Sequence, residues 1–450
     1  MNPGRPSRTP LEEWFAHRAG MGEGRPTRED IERHQLRLLR DTLAWARQRS
    51  PYYRGPLAGF DVSAIAARSD LERLPFTTAA DLREHGARLL CVSQDEIERV
   101  VTLTTSGTTG VPKRLHFTAD DQERTVEFFE RCLATASVGG SDTVLILLPG
   151  ATPGSAGDLI ARAVERVGAK PVPHGFVEDL RETLALAQRV RPTAWVAAPV
   201  QALALARYAE EVAREPFRLK TAILTSDHIP GALSRALERA CGSRVFEYFG
   251  MTEMGLGGGI ECDAHCGYHL QEADFLFEIV DPLTGRDLPE GSRGEVVVTT
   301  LARRGMPLIR YRTGDLSRFL AGPCRCGAVL RRLERLTGRK DERVLPAADG
   351  DVGATLAALD EALFDVPGVI DFTASVTRDR HPTTLTLTVH SVRREDEALV
   401  RATYDALDRV PAILSACRAG VLTVNVAALR VEGRLPIRPG KRTLAELEER

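Results

Sequence analysis

Residues 103–113 read Leu-Thr-Thr-Ser-Gly-Thr-Thr-Gly-Val-Pro-Lys. The positions from 104 to 110 hold only threonine, serine and glycine, and a proline and a lysine follow shortly. A loop of this composition exposes backbone N–H groups, surrounds them with rotatable O–H donors and adds one ammonium group. Such an array binds phosphate oxygens. We therefore predict that this loop binds phosphate, and the alternative is an ordinary polar loop.

The lysine of this loop is a rare residue in the chain. Among 60 lysine and arginine residues, lysine occurs only at positions 113, 170, 220, 340 and 441. Where arginine serves as the usual cation, a retained lysine indicates a place that needs a compact point charge. The loop does not end in the Gly-Lys-Ser/Thr of a P-loop, since Pro112 precedes Lys113 and Arg114 follows it. The sequence therefore disfavours a mononucleotide kinase or a GTPase.

Length and composition limit the class of protein. The 450 residues predict two or three domains, and 43% hydrophobic with 27% charged residues is typical of a globular protein. A net charge of −2 gives no reason to expect nucleic acid or an anionic membrane as a partner. Apolar runs are too short to span a bilayer, and the N-terminus lacks the apolar segment of a secretory signal. We expect a cytoplasmic protein with reduced, buried or metal-bound cysteines.

The predicted elements change character along the chain. The first hundred residues are helical in pattern, as at 28–47. From about residue 100, strands at 144–148, 194–198 and 222–225 alternate with helices such as 158–167, which predicts a doubly wound, mostly parallel sheet. Short strands at 275–280 and 294–300 predict a small β subdomain. After residue 338, strands at 372–376, 384–389 and 421–426 and a helix at 395–407 predict a ββαβ unit. The predicted fold is α/β, with a large N-terminal domain and a small α+β C-terminal domain.

Four further motifs follow the loop. Residues 248–253 read Tyr-Phe-Gly-Met-Thr-Glu, 311–316 Tyr-Arg-Thr-Gly-Asp-Leu, 338–341 Gly-Arg-Lys-Asp and 439–441 Pro-Gly-Lys. In this order, the five motifs resemble those of adenylate-forming enzymes, a superfamily of acyl-CoA synthetases, adenylation domains and luciferases. Residues 50–54 (Ser-Pro-Tyr-Tyr-Arg), 74–78 (Leu-Pro-Phe-Thr-Thr), 262–269 and 281–285 are similar to the phenylacetate–CoA ligase branch.

This resemblance implies an AMP-forming acid–thiol ligase. A carboxylate would attack the α-phosphate of ATP to give an acyl-adenylate and pyrophosphate, and CoA would then accept the acyl group. AMP is a far better leaving group than oxide, so the protein mainly positions the reactants and neutralises charge. The resemblance also divides the chain into an N-terminal domain (1–338, with a β subdomain at about 260–335) and a mobile lid (339–450) after a hinge at Asp341.

The resemblance assigns the catalytic roles to four residues. Lys113 would add charge at the β- and γ-phosphates, and Thr252 would contact the α-phosphate. Glu253 would hold Mg²⁺, a hard cation that favours carboxylate and phosphate oxygens. Lys441 would clamp the α-phosphate and the carboxylate in the transition state.

The remaining predicted nucleotide contacts lie in the same motifs. Asp315 would accept both ribose hydroxyls, Arg339 would reach the ribose or a phosphate, and Tyr248 would stack on or line the adenine. His228, in the Ser-Asp-His-Ile-Pro segment at 226–230, is either an adenine contact or an ordinary surface histidine. The full predicted set of ATP contacts is Thr105, Ser106, Gly107, Thr108, Thr109, Gly110, Tyr248, Phe249, Gly250, Met251, Asp315, Arg339 and His228.

Cysteine and histidine residues cluster at two places. Cys262, His265, Cys266 and His269 lie within eight positions, and Cys324 and Cys326 follow. Two such knuckles can form a closed, structural tetrahedral zinc site. The resemblance favours Cys262, His269, Cys324 and Cys326, with Cys266 as an alternative to His269. The other cysteines, Cys91, Cys132, Cys241 and Cys417, are predicted to be core residues.

Several features leave alternatives open. The Gly-x-Asn-x-Phe-Pro pattern that lines the pantetheine path in the superfamily is absent from 343–350, so a carrier-protein thiol, an amine or another nucleophile could replace CoA as acceptor. The segment 148–155, predicted to line the acyl pocket, has no aromatic residue, which weakens phenylacetate as the substrate. A non-catalytic nucleotide- and zinc-binding homologue is the alternative of another class. A homodimer is compatible with the branch.

Overall fold

The structure, a computed structural model, describes residues 7–22, 24–103, 111–336, 338–340, 344–347, 353–377, 382–392, 397–435, 442 and 444–446. In these ranges the α-helices are α1 (Leu11–Arg18), α2 (Arg28–Arg49), α3 (Ala79–His85), α4 (Ala119–Thr135), α5 (Ala156–Arg166), α6 (Leu180–Val190), α7 (Pro199–Tyr208), α8 (Gly231–Cys241), α9 (Leu356–Leu363), α10 (Glu397–Leu407) and α11 (Pro411–Arg418). The strands are β1 (Arg99–Leu103), β2 (Lys113–Phe117), β3 (Thr143–Leu147), β4 (Lys170–Pro173), β5 (Ala194–Ala197), β6 (Thr221–Leu224), β7 (Arg244–Gly250), β8 (Gly258–Glu261), β9 (Tyr268–Leu270), β10 (Phe275–Val280), β11 (Gly294–Thr300), β12 (Tyr311–Ser317), β13 (Arg332–Leu333), β14 (Gly338–Arg339), β15 (Val369–Thr377), β16 (Thr383–Ser391), β17 (Leu422–Arg430) and β18 (Ala445–Glu446).

The chain divides into two units. Unit 1 comprises Met1–Ser141, Gly150–Lys170 and Phe246–Lys340, and unit 2 comprises Asp142–Pro149, Pro171–Val245 and Asp341–Arg450. Each unit has its own hydrophobic core. In unit 1 the core is built around β10, β11 and β12 with α2, and in unit 2 it includes β5, β6, α7 and α8 together with α9, β15 and β16.

Unit 1 carries the antiparallel strands. β1 and β2 form a hairpin, and β10, β11, β12 and β14 form a four-stranded sheet in that order. β7, β8 and β9 are successive antiparallel neighbours, and β13 pairs with β9. Helix α2 begins at a capping box, in which the Thr27 hydroxyl accepts from the N–H of Asp30 and the Asp30 carboxylate accepts from the N–H of Thr27. Two backbone donors are thereby satisfied at its N-terminus.

Unit 2 carries the parallel strands. β3, β5 and β6 are parallel neighbours, and all four positions of β5 and β6 are buried. Strands buried on both faces require apolar runs, which is why the sequence shows Ala-Trp-Val-Ala and Thr-Ala-Ile-Leu here. A second sheet has the order β17-β16-β15-β18, with β15 antiparallel to β16 and parallel to β18.

The sequence-based elements agree with these assignments. The strands predicted at 275–280 and 294–300 have the bounds of β10 and β11, and the ββαβ unit corresponds to β15, β16, α10 and β17. The mixed α/β class is confirmed. The core prediction is right for Cys91, Cys132 and Cys241 but wrong for Cys417, which is exposed at the end of a short amphipathic helix. In the described part of the chain, no helix is long and apolar enough to cross a membrane.

Candidate active site

The ends of the phosphate loop are held by a β-hairpin. β1 and β2 pair in antiparallel register, and the pair Leu103–Lys113 closes the hairpin at the two ends of the loop. The pairing of β1 with β2 fixes the backbone of Lys113. The position from which the Lys113 side chain extends is therefore fixed as well. Several predicted site residues lie outside the described residues: the nucleotide contacts Thr105, Ser106, Gly107, Thr108, Thr109 and Gly110, the predicted hinge Asp341 and the predicted catalytic residue Lys441.

Glu253 lies in a tight turn between β7 and β8. Thr252–Met254 form a single 3₁₀ turn, and Gly255 ends it with a φ of 63°. A Cβ on Gly250 would lie 2.2 Å from the carbonyl oxygen of Leu256, so glycine is required there by close backbone approach. The turn keeps Thr252 half-buried beside Glu253.

Lys113 and Glu253 form a buried ion pair. The ammonium of Lys113 donates to Oε1 of Glu253 at 2.5 Å, and the Tyr311 hydroxyl donates to the same oxygen at 3.0 Å. The side chains of Lys113 and Glu253 are only 15% and 4% exposed. Burial alone would raise the pKa of Glu253, but the Lys113 charge and both hydrogen bonds outweigh it and hold that pKa below its ordinary value. Glu253 is therefore ionised at neutral pH.

Arg303 stabilises the turn that holds Glu253, and no sequence motif indicated this role. Its Nη1 donates to the backbone oxygen of Glu253 at 2.8 Å, and its guanidinium lies over the ring of Phe117 at 4.8 Å from the centroid. It is buried, with Asp121 and Glu253 as the acidic groups in its surroundings. One arginine among many in the sequence carries no motif signal, so only the structure reveals it.

Asp315 and Arg339, the two predicted ribose contacts, lie side by side. They face each other across β12 and β14, and Nε of Arg339 lies 3.3 Å from Oδ1 of Asp315. The Arg339 guanidinium also donates to the backbone oxygen of Thr313 at 2.9 Å. Asp315 is only 2% exposed, whereas the Arg339 side chain is 49% exposed. The arrangement presents a fixed carboxylate under a cation that solvent and ligands can reach.

The aromatic residues of the Tyr-Phe-Gly-Met-Thr-Glu motif are packed inside unit 1. The ring of Tyr248 lies near Phe128 and Phe129, with centroids 6.0 and 5.7 Å apart, and its hydroxyl donates to the backbone oxygen of Leu256. Phe249 stacks on Tyr268. Tyr248 is 7% exposed, so little of its ring is available to an adenine, and that contact stays a prediction.

His228 belongs to unit 2. It follows β6 in the segment that leads to α8, it is half-buried, and its backbone N–H donates to the Asp227 carboxylate at 2.8 Å. Whether its imidazole contacts an adenine is not decided by this geometry, so its role also stays a prediction.

Three cysteines and one histidine converge in unit 1. The Sγ atoms of Cys262, Cys324 and Cys326 and a ring nitrogen of His269 all lie within 4.8 Å of one another, and all four residues are buried. Cys262 follows β8 and His269 lies on β9, while the two others come from the segment before β13. The strand pairing of β9 with β8 and with β13 brings these distant segments together.

The geometry of this cluster fits zinc. The distance between Sγ of Cys262 and Sγ of Cys324 is 3.7 Å, and tetrahedral Zn–S bonds of about 2.3 Å separate two sulfurs by about 3.8 Å. Hydrogen bonds with Cys262 and with His269 lower the pKa of Cys326 below its ordinary value, which favours a thiolate. The alternative ligand Cys266 is outside the group, and its Sγ donates to the backbone oxygen of Ala264.

Comparison with known proteins agrees with the motifs. Residues 65–302 match the family model of the AMP-binding enzymes. The phenylacetate–coenzyme A ligase of Thermus thermophilus is 33% identical over 337 residues, which cover 71% of this chain and 74% of the relative. The phenylacetate–coenzyme A ligase of Escherichia coli is 29% identical over 70% of this chain and 73% of its own length.

Solved structures show the same fold. A 2-hydroxyisobutyryl-CoA ligase in the postadenylation state, with 2-HIB-AMP, superimposes with a TM-score of 0.78 and 24% identity over 94% of this chain and 90% of that chain. The same ligase with 2-HIB-AMP and CoA in the thioesterification state gives a TM-score of 0.65 over 92% and 90% of the two chains. At this identity the likeness establishes the architecture.

The chain therefore belongs to the family of AMP-binding enzymes, which form adenylates. Within that family it is an AMP-forming ligase of the phenylacetate–coenzyme A ligase type, as the motif order predicted.

Proposed function

We propose that this protein joins a carboxylic acid to coenzyme A in two steps. In the first step a carboxylate oxygen attacks the α-phosphorus of ATP. The bond between the α-phosphorus and the oxygen that bridges it to the β-phosphate breaks, and pyrophosphate leaves. In the second step the CoA sulfur attacks the acyl carbon, AMP leaves, and the thiol proton is released to solvent. Adenylation makes the acyl carbon electrophilic because AMP is a good leaving group.

The observation that carries this proposal is the buried Lys113–Glu253 pair at the end of the β-hairpin. An ammonium group next to a phosphate-type loop stabilises the charge that develops on departing pyrophosphate. Glu253, ionised and buried beside it, supplies a hard oxygen donor of the kind Mg²⁺ prefers. Glu253 and the ATP phosphates would hold Mg²⁺, which neutralises phosphate charge when bound.

Other residues position the nucleotide in this proposal. Asp315 accepts the ribose hydroxyls, and its neighbour Arg339 adds a cation within reach of the ribose or a phosphate. Thr252 contacts the α-phosphate, and Lys441 bridges the α-phosphate and the acid. We also propose that residues 339–450 move about a hinge at Asp341 between the two steps.

A structural zinc ion is the second proposal for this chain. Its ligands are Cys262, His269, Cys324 and Cys326, because these four are buried and at ligand spacing. A closed set of three thiolates and one imidazole leaves no open coordination position, so the ion would stabilise unit 1 and take no part in the chemistry.

Pyrophosphate release tests the first step. Purified protein is incubated with ATP, Mg²⁺ and a panel of aromatic and small aliphatic acids, the latter because the segment 148–155 has no aromatic side chain. At least one acid is expected to give acid-dependent release, and the Glu253→Gln variant is expected to lose it. Glu334→Gln, which removes a carboxylate paired with Arg293 and Arg318, serves as a matched control. No release with any acid would instead favour a non-catalytic nucleotide-binding protein.

Addition of CoA tests the second step. Mass spectrometry is expected to detect the acyl-CoA thioester and AMP in equal amounts. Adenylate that accumulates in the presence of CoA, and is consumed only by a carrier-protein thiol or an amine, would move the acceptor away from CoA. The missing Gly-x-Asn-x-Phe-Pro pattern makes this comparison informative.

A further inference from the structure

The strand that carries Asp315 bulges at that residue. Glu295 of β11 pairs with Leu316 of β12. Two positions further along β11, Val297 pairs with Arg312, which lies four positions back along β12. Three residues of β12, with Asp315 among them, therefore lie opposite a single residue of β11. A bulge of this kind re-aims a side chain and takes backbone groups away from their usual ladder partners.

Glu295 provides a partner for one backbone group of this bulge. Its Oε1 accepts from the N–H of Gly314, the residue before Asp315, at 3.2 Å. Gly314 has a φ of 76°, a left-handed conformation that favours glycine. Glu295 is only 2% exposed, so this hydrogen bond is shielded from water. The Glu295 carboxylate therefore holds the bulge directly beside Asp315.

The other carboxylate oxygen of Glu295 is occupied by Arg312. Oε2 accepts from Nε of Arg312 at 2.9 Å and also from Nη2 of the same guanidinium. Glu295 thus joins a donor that lies just before the bulge to a donor inside it. A carboxylate offers two acceptor oxygens, whereas a carboxamide offers one acceptor and one donor group. A glutamine at position 295 would therefore satisfy only one of the two donors.

Further hydrogen bonds hold the backbone on both sides of β12. The N–H of Asp315 donates to the Thr313 hydroxyl at 3.1 Å, and that hydroxyl donates to the backbone oxygen of Val296 at 2.7 Å. On the side of β14, the N–H of Lys340 donates to the backbone oxygen of Gly314 at 2.8 Å. Asp315 is buried within this frame. The position of its carboxylate therefore depends on the shape of the bulge.

We propose that Glu295 is a positioning residue for Asp315 and thereby sets how strongly the site distinguishes a ribose from a deoxyribose. This inference rests on the proposed function, in which Asp315 accepts the ribose hydroxyls. A hydrogen bond weakens steeply when its length or its angle departs from the preferred geometry. If the bulge relaxes, the Asp315 carboxylate is displaced, and ATP loses its advantage over nucleotides that lack a hydroxyl.

Equilibrium binding tests the inference without any acid substrate. Kd is measured by titration calorimetry for ATP, 2′-deoxy-ATP and 3′-deoxy-ATP in the presence of Mg²⁺. The wild-type protein is expected to bind ATP about 10- to 100-fold more tightly than either analogue, because each missing hydroxyl removes a hydrogen bond to a charged group. In Glu295→Gln this preference is expected to fall about fivefold or more. An unchanged preference in Glu295→Gln would overturn the inference.

Glu272→Gln is the matched control. Glu272 is another buried glutamate of unit 1, and it accepts from the Arg28 guanidinium at 2.6 and 2.7 Å and from the N–H of Arg331 at 2.7 Å. Its substitution disturbs the same kind of contact away from Asp315, so the preference for ATP should stay within about twofold of the wild-type value. A merely structural role of Glu295 would likewise weaken binding of all three nucleotides equally, and that result would refute the positioning role.

Glu295→Asp provides a second variant that keeps two acceptor oxygens. Its side chain is one methylene shorter, so it cannot reach Arg312 and the Gly314 N–H equally well. We expect a preference for ATP between those of the wild-type protein and Glu295→Gln. This variant carries the test if Glu295→Gln does not fold, and a preference equal to the wild-type value would then count against the inference.

Asp315→Asn separates the inference from the function on which it rests. The expected result is that Asp315→Asn loses the preference for ATP, as Glu295→Gln does. If Asp315→Asn keeps the wild-type preference, the ribose role of Asp315 is wrong, and the role of Glu295 is wrong with it. If Asp315→Asn loses the preference while Glu295→Gln keeps it, only the role of Glu295 is wrong. Ribose-dependent binding that is lost in Glu295→Gln, without pyrophosphate release from any acid, would contradict the ligase activity and support the role of Glu295.

Discussion

Lys113 and Glu253 are 140 positions apart in the sequence, and their charged groups meet at 2.5 Å inside unit 1. Each side chain balances the charge of the other. Under the proposed function, the ammonium turns to the phosphates of bound ATP and the carboxylate turns to a metal ion. The site then exchanges one set of ion pairs for another and at no stage leaves a buried charge alone, which would be costly.

This pairing predicts a non-additive mutant cycle. Glu253→Gln or Lys113→Met alone leaves one buried charge unpaired and should destabilise the protein by about 3 kcal/mol. The double variant removes both charges and should recover most of that loss, as measured by thermal unfolding. All three variants should be deficient in pyrophosphate release. The exposed pair of Glu29 and Arg33 is the control, and Glu29→Gln should change stability by less than about 0.5 kcal/mol. A double variant no more stable than the singles would contradict the pairing.

Arg303 is predicted to act on catalysis through the backbone of Glu253. Arg303→Lys keeps the charge but loses the fork and the stacking on Phe117, so the Thr252–Met254 turn is less well fixed. We expect kcat of adenylation to fall about tenfold. Arg304→Lys, at the exposed neighbouring position over Trp45, should retain full activity. Steady-state pyrophosphate release measures both, and equal activities would show that the turn does not need Arg303.

The buried ion pair between Arg442 and Asp360 in unit 2 is predicted to depend on pH. Burial raises the pKa of Asp360 to about 7, against the opposing charge of Arg442, while Asp227 and Asp371 raise it further. Below pH 7 the Asp360 carboxyl takes up a proton, so the rate of trypsin cleavage after Arg442, relative to Arg434, should rise from pH 8 to pH 6. In Asp360→Asn the ratio should be high at both pH values. A ratio that stays constant in the wild-type protein would refute this titration.

The titration of Asp360 also determines how the free energy of unfolding changes with pH. Between the ordinary carboxyl pKa of 3.8 and about 7, the folded state binds the Asp360 proton and the unfolded state does not. The contribution of Asp360 to stability is therefore complete below 3.8 and is lost as the pH rises through about 7. The free energy of unfolding of the wild-type protein, minus that of Asp360→Asn, should decline across this range and stay level above it. An increase with pH would contradict the assignment.

Zinc content and its loss test the cysteine cluster. Metal analysis should find about one zinc per chain. Cys324→Ser should lose it and lower the midpoint of thermal unfolding by roughly 5 °C or more, because the ion stabilises only the folded state. Cys417→Ser, at an exposed position, should keep both. Wild-type protein free of zinc after purification without chelators would rule out the proposed site.

Sequence patterns predicted the fold well where a local period decides the structure. The strands β10 and β11 were placed by their apolar runs and the turns that bound them. The motif order also identified Glu253, Asp315 and Lys113 as candidate site residues. A motif lists residues and does not say which side chains touch, so the Lys113–Glu253 pair required the structure.

The residues that the sequence did not reveal share one physical reason. Arg303 and Arg442 are arginines in a chain that uses arginine as its ordinary cation, so neither stands out by type or spacing. Their importance comes from burial between aromatic rings and carboxylates contributed by distant segments. The prediction for Cys417 was wrong for the opposite reason. Its residue type suggested a buried position, but α11 places it at the surface.

The cysteine cluster has a consequence for how unit 1 loses its structure. The proposed ligands Cys262 and Cys324 are 62 positions apart, and β10, β11 and β12, with Asp315, lie between them. In a cross-link model, closing a loop of this length lowers the conformational entropy of the unfolded chain, and the folded state gains about 4 kcal/mol relative to it. A bound ion would therefore keep the two ends of the segment that carries β10, β11 and β12 together even when these strands separate.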